Sequence, residues 1–295
     1  MFVKNIVRAT KINDLFSVKD KVVLIGGAGG LGSCLAKGFL DNGAYVVLAD
    51  NAPGKAEKIK EDFAKQGFDK CDAYQADQTN KAALSEMVGD IVKKHGRIDV
   101  FFNTAALCWN EDAEDFLEEG IRKMIDVNFT SAILFTQVVG KTMISQGGGK
   151  IIEIGSIGGL ECHSFRSMPY EATKAAIHQL TKSFATAWAH YNINVNCIAP
   201  TWINTPLVDF AAGDMRKAII DQHFFGRIAE TDDFLGAAIF LSSDASNYVT
   251  GHVLAVDGGW SVSKPWRLDG VTPLLFLDAQ AHQFLKRENS LYAYT

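Results

Sequence analysis

Short β-branched and apolar runs recur along the chain: KVVLI (21–25), AYVVLA (44–49), CDAYQ (71–75), IDVFFN (98–103), KIIEI (150–154), INVNCI (193–198) and HVLAV (252–256). Between them, apolar residues fall at helical spacing over 30–42, 54–66, 79–95, 112–146, 170–190 and 231–242. Parallel strands need long crossovers and are buried on both faces, so this alternation predicts an α/β chain. Its architecture is a doubly wound parallel sheet of about seven strands with helices on both faces. Without a Pro/Ser-rich linker or a repeat, residues 15–260 read as one domain, flanked by an N-terminal extension, 1–14. Residues 261–295 fall outside the alternation. Their apolar PLLFL (273–277) predicts an extension packed on the domain or on a neighbouring subunit.

Composition narrows the partners. A net charge of −5 over 295 residues, with no basic cluster, gives no support to nucleic-acid binding or a polybasic membrane anchor. The five cysteines (34, 71, 108, 162 and 197) are odd in number, scattered and never in C-x-x-C, so neither a disulfide framework nor a metal site is indicated. Charges break the opening MFVKNIVRATKIND, and no later apolar run is long enough to span a bilayer. The expectation is a cytoplasmic protein that takes a small molecule.

GGAGGLG, residues 26–32, follows the first strand and opens a helix. It satisfies G-x-G-x-x-G through Gly27, Gly29 and Gly32, and G-x-x-x-G-x-G through Gly26, Gly30 and Gly32. Glycines allow a tight turn and close backbone approach, so a pyrophosphate can rest on N–H groups at the positive helix end. The alternative is a tight turn with no ligand. No Lys follows in a Walker arrangement. Asp50 ends the second strand where a dinucleotide fold places the carboxylate for the ribose hydroxyls, and no Arg or Lys lies in the glycine loop to meet a 2′-phosphate. NAD is favoured over NADP, with a solvated turn aspartate as the alternative.

Tyr170 and Lys174, in MPYEATKAAI, stand at i and i+4 on one helix face. A phenol of pKa ~10 must fall by roughly three units to work near neutrality, about 4 kcal/mol. One cation at ~4 Å and an effective dielectric of ~20 supplies about that much. A helix-surface pair is the alternative, which the glycine loop makes the weaker one.

Together these stretches resemble the short-chain dehydrogenase/reductase family over roughly residues 15–260. IGGAGGLG is similar to the family's T-G-x-x-x-G-x-G, with Ile25 in place of Thr. Asp77 in YQADQT resembles the acidic residue beside adenine. FNTAAL matches the N-N-A-G segment only at Asn103 and Ala105, and Thr104 and Ala106 depart from it. IDVNFTSA, EIGSIGG, CIAPTWINTPL and VTGHVLAVDGGW resemble further family segments in order, with Thr201 replacing a glycine after Pro200. The resemblance implies a Rossmann-like fold and a catalytic set of Asn128, Ser156, Tyr170 and Lys174. Ser156 would bond the substrate oxygen, Tyr170 exchange the proton, Lys174 lower the Tyr pKa and bind ribose, and Asn128 hold a water. It implies cofactor contacts from Gly26, Gly30, Leu31, Gly32, Asp50, Asp77, Gln78, Asn103, Ala105, Tyr170, Lys174, Pro200, Ile203 and Thr205. It also implies a homodimer or homotetramer built on helices 112–146 and 170–190, with Ala172, Ala175, Ala176 and Ala185 at the contacts.

Loops at the carboxyl ends of the strands should face substrate. They carry Cys108, Trp109, Asn110, Glu161, Cys162, His163, Ser164, Arg166, Trp202 and residues 207–225. Trp109, His163, Arg166 and Trp202 are the substrate candidates, with Arg166 offered to a carboxylate. The leading NDLFSVKDKVVLIGG resembles sugar-acid and polyol dehydrogenases. The expected activity is NAD-dependent interconversion of an alcohol and a ketone on a sugar, sugar acid or polyol. The alternatives are a 3-oxoacyl or other hydrophobic-ketone reductase, or an idle dinucleotide-binding protein.

Overall fold

The computed structural model describes residues 11–162, 164, 166–205, 208 and 212–262. His163 and the apolar run 273–277 lie outside the described residues. Seven strands form one parallel sheet in the order β3-β2-β1-β4-β5-β6-β7. They are β1 (Val22–Gly26), β2 (Tyr45–Asp50), β3 (Cys71–Gln75), β4 (Val100–Asn103), β5 (Gly149–Ile154), β6 (Ile193–Pro200) and β7 (Val253–Val256). The helices are α1 (Ile12–Leu15), α2 (Gly30–Asp41), α3 (Lys55–Lys65), α4 (Lys81–His95), α5 (Glu118–Ile125), α6 (Ser131–Gln146), α7 (Met168–Trp188), α8 (Gly213–Gln222) and α9 (Leu235–Ser242).

Alternate strand residues feed two cores, as a sheet covered on both faces requires. Val23, Ile25, Val46 and Leu48 pack with Leu35, Phe39, Ala238 and Leu241 of α2 and α9. Val22, Leu24, Val47 and Phe101 pack on the other face with Leu84, Ile91, Phe135 and Val139 of α4 and α6. Strand order reverses between β1 and β4, which opens a crevice at their carboxyl ends, where such sheets take ligands.

Strand ends differ from the sequence pattern by one or two residues. Ile98 leaves the fourth strand because Gln146 takes its backbone, accepting from Ile98 N at 3.1 Å and donating to its carbonyl at 2.6 Å. The segment 112–146 is not one helix. Acid-rich residues 112–117 form turns facing water, α5 starts at Glu118, and a π-helical stretch, Asp126–Thr130, precedes α6. Within 207–225, read as loop, α8 forms with Ile219 as its one buried residue, a footprint too small to leave a clear helical pattern.

Candidate active site

The glycine loop is built by close approach. Gly27 has φ +104° and lies against Thr104 and Ala105, while a Cβ on Gly32 would stand 2.0 Å from the Gly27 carbonyl oxygen. Gly29 faces open space at the start of α2. Ile25, which replaces the family threonine, is fully buried. The hydroxyl missing there comes from the other side of the contact: Thr104 Oγ1 donates toward the carbonyls of Gly26 and Gly27 at 3.0 and 2.7 Å.

Asp50 sits beside this loop. Its Oδ2 accepts from Ala28 N at 2.8 Å and from Lys55 Nζ at 3.0 Å, and its Oδ1 from Ala52 N at 3.0 Å. Burial pushes its pKa up, but the bonds from Ala52, Lys55 and Ala28 outweigh burial and hold it below the usual carboxylate range. Lys55, five residues past the strand end, corrects the expectation that no cation stands near a 2′-phosphate. Asp77 is exposed and accepts from the backbone and hydroxyl of Thr79. Gln78 and Asn103 are buried beside Gly26.

A cavity of about 800 Å³ runs from Ala28, Gly30, Leu31 and Gly32 to Ser156, Tyr170 and Lys174, with Pro200, Trp202, Ile203 and Thr205 along its wall. A glycine cradle of this kind, with a carboxylate bonded to it at Ala28, has the chemistry to take a dinucleotide, since backbone N–H groups at a helix start suit a pyrophosphate and a carboxylate suits ribose hydroxyls. Ser156 follows β5 by two residues and caps a short 3-10 turn, its Oγ accepting from Gly158 N at 3.1 Å. Pro169 occupies the first turn of α7, where its missing N–H costs nothing, and the helix delivers Tyr170 and Lys174 into the cavity.

The electrostatics of the pair differ from expectation. Lys174 Nζ donates to the Ile154 carbonyl at 2.6 Å and stands 5.7 Å from the Tyr170 ring centroid. Burial, and then the neighbouring Cys108, raise the Tyr170 pKa, with only the Ser156 hydrogen bond opposing. Burial thus favours the protonated phenol. Lys174 is pushed down to about 8 by burial, against the fields of Cys197, Glu153 and Cys108.

Asn128 lies in the π turn, buried. Its Oδ1 accepts from Leu107 N at 2.7 Å, and its Nδ2 donates to Leu107 O at 2.8 Å and Thr173 Oγ1 at 3.1 Å. Its side chain thus clamps the loop after β4 to α7. Two further residues escaped the sequence reading. His178 packs against Gly155 and Gly159, where no Cβ fits, and its Nε2 accepts from Ser156 N at 3.4 Å. Burial lowers its pKa to about 4, so it is neutral and braces the serine loop. Glu153 is fully buried, accepts from Asn103 and Thr136, and is pushed up to about 7 by burial. The signals were an acid inside the apolar KIIEI and a histidine one turn beyond Lys174 on the same face.

The substrate candidates separate. Trp202 lines the cavity with Cys108, Asn110 and Ser164. Trp109 instead lies against Gly120 and is 40% exposed. Arg166 pairs with Asp112 at 3.0 Å and Glu111 at 3.4 Å rather than lining the cavity.

A family profile described as enoyl-(acyl carrier protein) reductase matches residues 26–261. The chain belongs to the short-chain dehydrogenase/reductase family, whose members use a nicotinamide dinucleotide. Among its relatives, an NAD-dependent glycerol dehydrogenase of Listeria innocua is 38% identical over 84% of this chain and 96% of its own. A 2-dehydro-3-deoxy-D-gluconate 5-dehydrogenase of Bacillus subtilis is 35% identical over 84% and 98%. The crystal structure of a gluconate 5-dehydrogenase from Burkholderia cenocepacia in complex with NADP and tartrate superposes with a TM-score of 0.80, at 31% identity over 84% and 98% of the two chains.

Proposed function

We propose that this chain is an NAD-dependent oxidoreductase that interconverts a secondary alcohol and a ketone on a polyol, sugar or sugar acid. The observation that carries the reading is the meeting of Ser156, Tyr170 and Lys174 in a cavity that begins at the glycine loop. A bound nicotinamide supplies the hydride acceptor in oxidation and the donor in reduction. The chain's own residues handle the oxygen. Ser156 Oγ donates to it, and the Tyr170 phenolate takes the alcohol proton in oxidation, becoming the phenol that gives the proton back in reduction. Lys174, held by Ile154, is placed to bind ribose and to stabilise the phenolate by its charge. Asn128 and His178 hold the loops that carry these groups. Gly30, Leu31 and Gly32 would hold the pyrophosphate, Asp50 the ribose hydroxyls, and Pro200, Ile203 and Thr205 the nicotinamide side.

NAD is favoured because Asp50 is a carboxylate at the ribose position, although Lys55 tempers its repulsion of a 2′-phosphate. A cytoplasmic homodimer or homotetramer accompanies this reading. Among the described residues, no helix is long and apolar enough to cross a membrane. The test is NAD(H)- and NADP(H)-linked turnover across polyols, ketoses, aldonates and hydroxyacyl compounds, repeated with Tyr170→Phe. Tyr170→Phe should lose turnover by about a hundred-fold or more while keeping cofactor binding. Retained turnover, or a preference for hydroxyacyl compounds, would refute the assignment.

A further inference from the structure

Near Ser156 and Tyr170 the wall of the cavity is largely apolar, with uncharged polar groups set into it beside the charged Lys174. Asn110, Ser164, Ser167 and Thr201 contribute hydroxyls and an amide, beside the apolar Trp202 and Val208. Groups of this kind donate and accept, which suits a substrate carrying several hydroxyls. Three cations stand near the cavity among the described residues, and each is engaged. Lys55 pairs with Asp50 at the adenosine end, Lys174 donates to Ile154, and Arg166 pairs with Glu111 and Asp112.

The chain that meets Arg166 beside the cavity is acidic. From Glu111 to Asp115, directly after the cavity-lining Asn110, the chain carries four carboxylates and no Lys or Arg: Glu111, Asp112, Glu114 and Asp115, whereas Glu118 pairs with Arg122 and, with Glu119, lines a separate pocket. All but Glu111, which is half-buried, are exposed. Glu171 adds another, accepting from Ser164 N at 2.9 Å and Ser167 Oγ at 3.2 Å. Arg166 is the cation in the loop opposite, and two carboxylates of this run already hold it, with Glu111 N also bonded to the Arg166 carbonyl at 2.9 Å. The pairing ties the loop after β4 to the loop before α7, and the rim it leaves is net negative.

We infer that the substrate is an uncharged polyhydroxy compound, a polyol or neutral ketose, and that the ion-paired Arg166 and the acidic run at 111–115 select against sugar acids. This rests on the proposed alcohol–ketone chemistry and narrows it. An anion approaching the rim meets like charge within about one Debye length, ~8 Å at physiological salt, and no unengaged cation among the described residues receives its carboxylate. Arg166 then acts as a strut between two loops rather than as an anion anchor.

The experiment compares kcat/KM and calorimetric binding, in the presence of cofactor, for glycerol, sorbitol and fructose against gluconate and 5-ketogluconate. Neutral compounds should lead by at least ~10-fold at low salt, and the gap should shrink as salt is raised, because screening acts on the anions alone. Glu111→Gln with Asp112→Asn frees Arg166 and should raise aldonate kcat/KM by about ten-fold, with a smaller change for neutral compounds. Glu114→Gln with Asp115→Asn, which leaves the Arg166 pairs in place, should narrow the gap in the same direction. Arg166→Ala should weaken both classes alike.

Tighter binding or faster turnover of an aldonate by the unmodified protein overturns the inference, as does an aldonate-specific loss in Arg166→Ala. Absence of turnover with every compound would count against the proposed function, and the binding comparison would still decide the charge preference.

Discussion

Glu153→Gln tests whether the buried acid under the active site is a liability to stability retained for catalysis. Glu153 faces Asn103 on β4, Thr136 on α6, Cys197 on β6 and, at longer range, Lys174 on α7. Burial lifts its pKa from an ordinary 4.5 to about 7, against the donations of Thr136 and Asn103 and the attraction of Lys174. Between these values the folded protein keeps a proton that the unfolded chain has released. Stability is therefore full below about 4.5 and falls as pH rises through about 7. At ~1.4 kcal/mol per unit, the ionised carboxylate costs about 3 kcal/mol at pH 8. Glutamine cannot ionise. Its oxygen can accept from Asn103 while its NH₂ donates to a rotated Thr136 hydroxyl, so no buried group loses its partner. The variant should be more stable than the parent at pH 8 by up to about 3 kcal/mol, roughly 6–12 °C in Tm for a domain of this size, and nearly equal to it at pH 5. Lys174, already pushed down to about 8, loses a favourable neighbour, so the alkaline limb of kcat should move to lower pH. Thermal melts at pH 5 and 8 and a kcat–pH profile suffice. Parallel melts across this range, or an unmoved alkaline limb, would refute the reasoning.

Asp50→Ala should reduce the preference for NAD over NADP, whereas Lys55→Ala should weaken NADP by about ten-fold and leave NAD nearly unchanged, as dissociation constants for both cofactors would show. Gly159→Ala places a Cβ 2.6 Å from the His178 ring and 2.7 Å from the Lys174 backbone carbon; it should cost about 1–3 kcal/mol in denaturant melts and lower turnover without the pH shift of Glu153→Gln. The proposed homo-oligomer predicts a dimer or larger species by sedimentation at micromolar concentration. Ala172 and Ala175 are exposed on α7 and available for contact, but Ala185 is buried within the subunit beside Gly251 and is not.

The sheet was legible because it announces itself twice, by apolar runs of strand length and by the helical intervals between them. The π turn was not, since it makes a single step in helical phase, which the mixed apolar and polar stretch IRKMIDVNF does not display. Tyr170, Lys174 and Ser156 could be named from spacing and likeness, and the structure brings all three to one cavity. The states of their protons could not be named. Tyr170 and Lys174 share a helix face, yet the ammonium turns to the Ile154 carbonyl and burial governs the phenol. Arg166 shows the same limit. A loop cation reads as available until the carboxylates of a second loop, more than fifty residues away in sequence, are found against it.

The π-helical turn between α5 and α6 has a consequence for how this chain can change. A helix advances about 100° per residue, so one extra residue at 126–130 sets the rotation of everything on one side relative to the other. With it, α6 turns Phe135, Val139 and Met143 to the sheet while Asn128 points at Leu107 and Thr173. Removing a single residue there would leave an unbroken, regular helix. That helix could keep its grip on the sheet only by swinging Asn128 about a quarter-turn away from both partners. The segment behaves as a phase setting, indifferent to many substitutions but intolerant of a change in count. Descendants of this chain should therefore vary in residue type along 126–130, Asn128 apart, far more readily than in length.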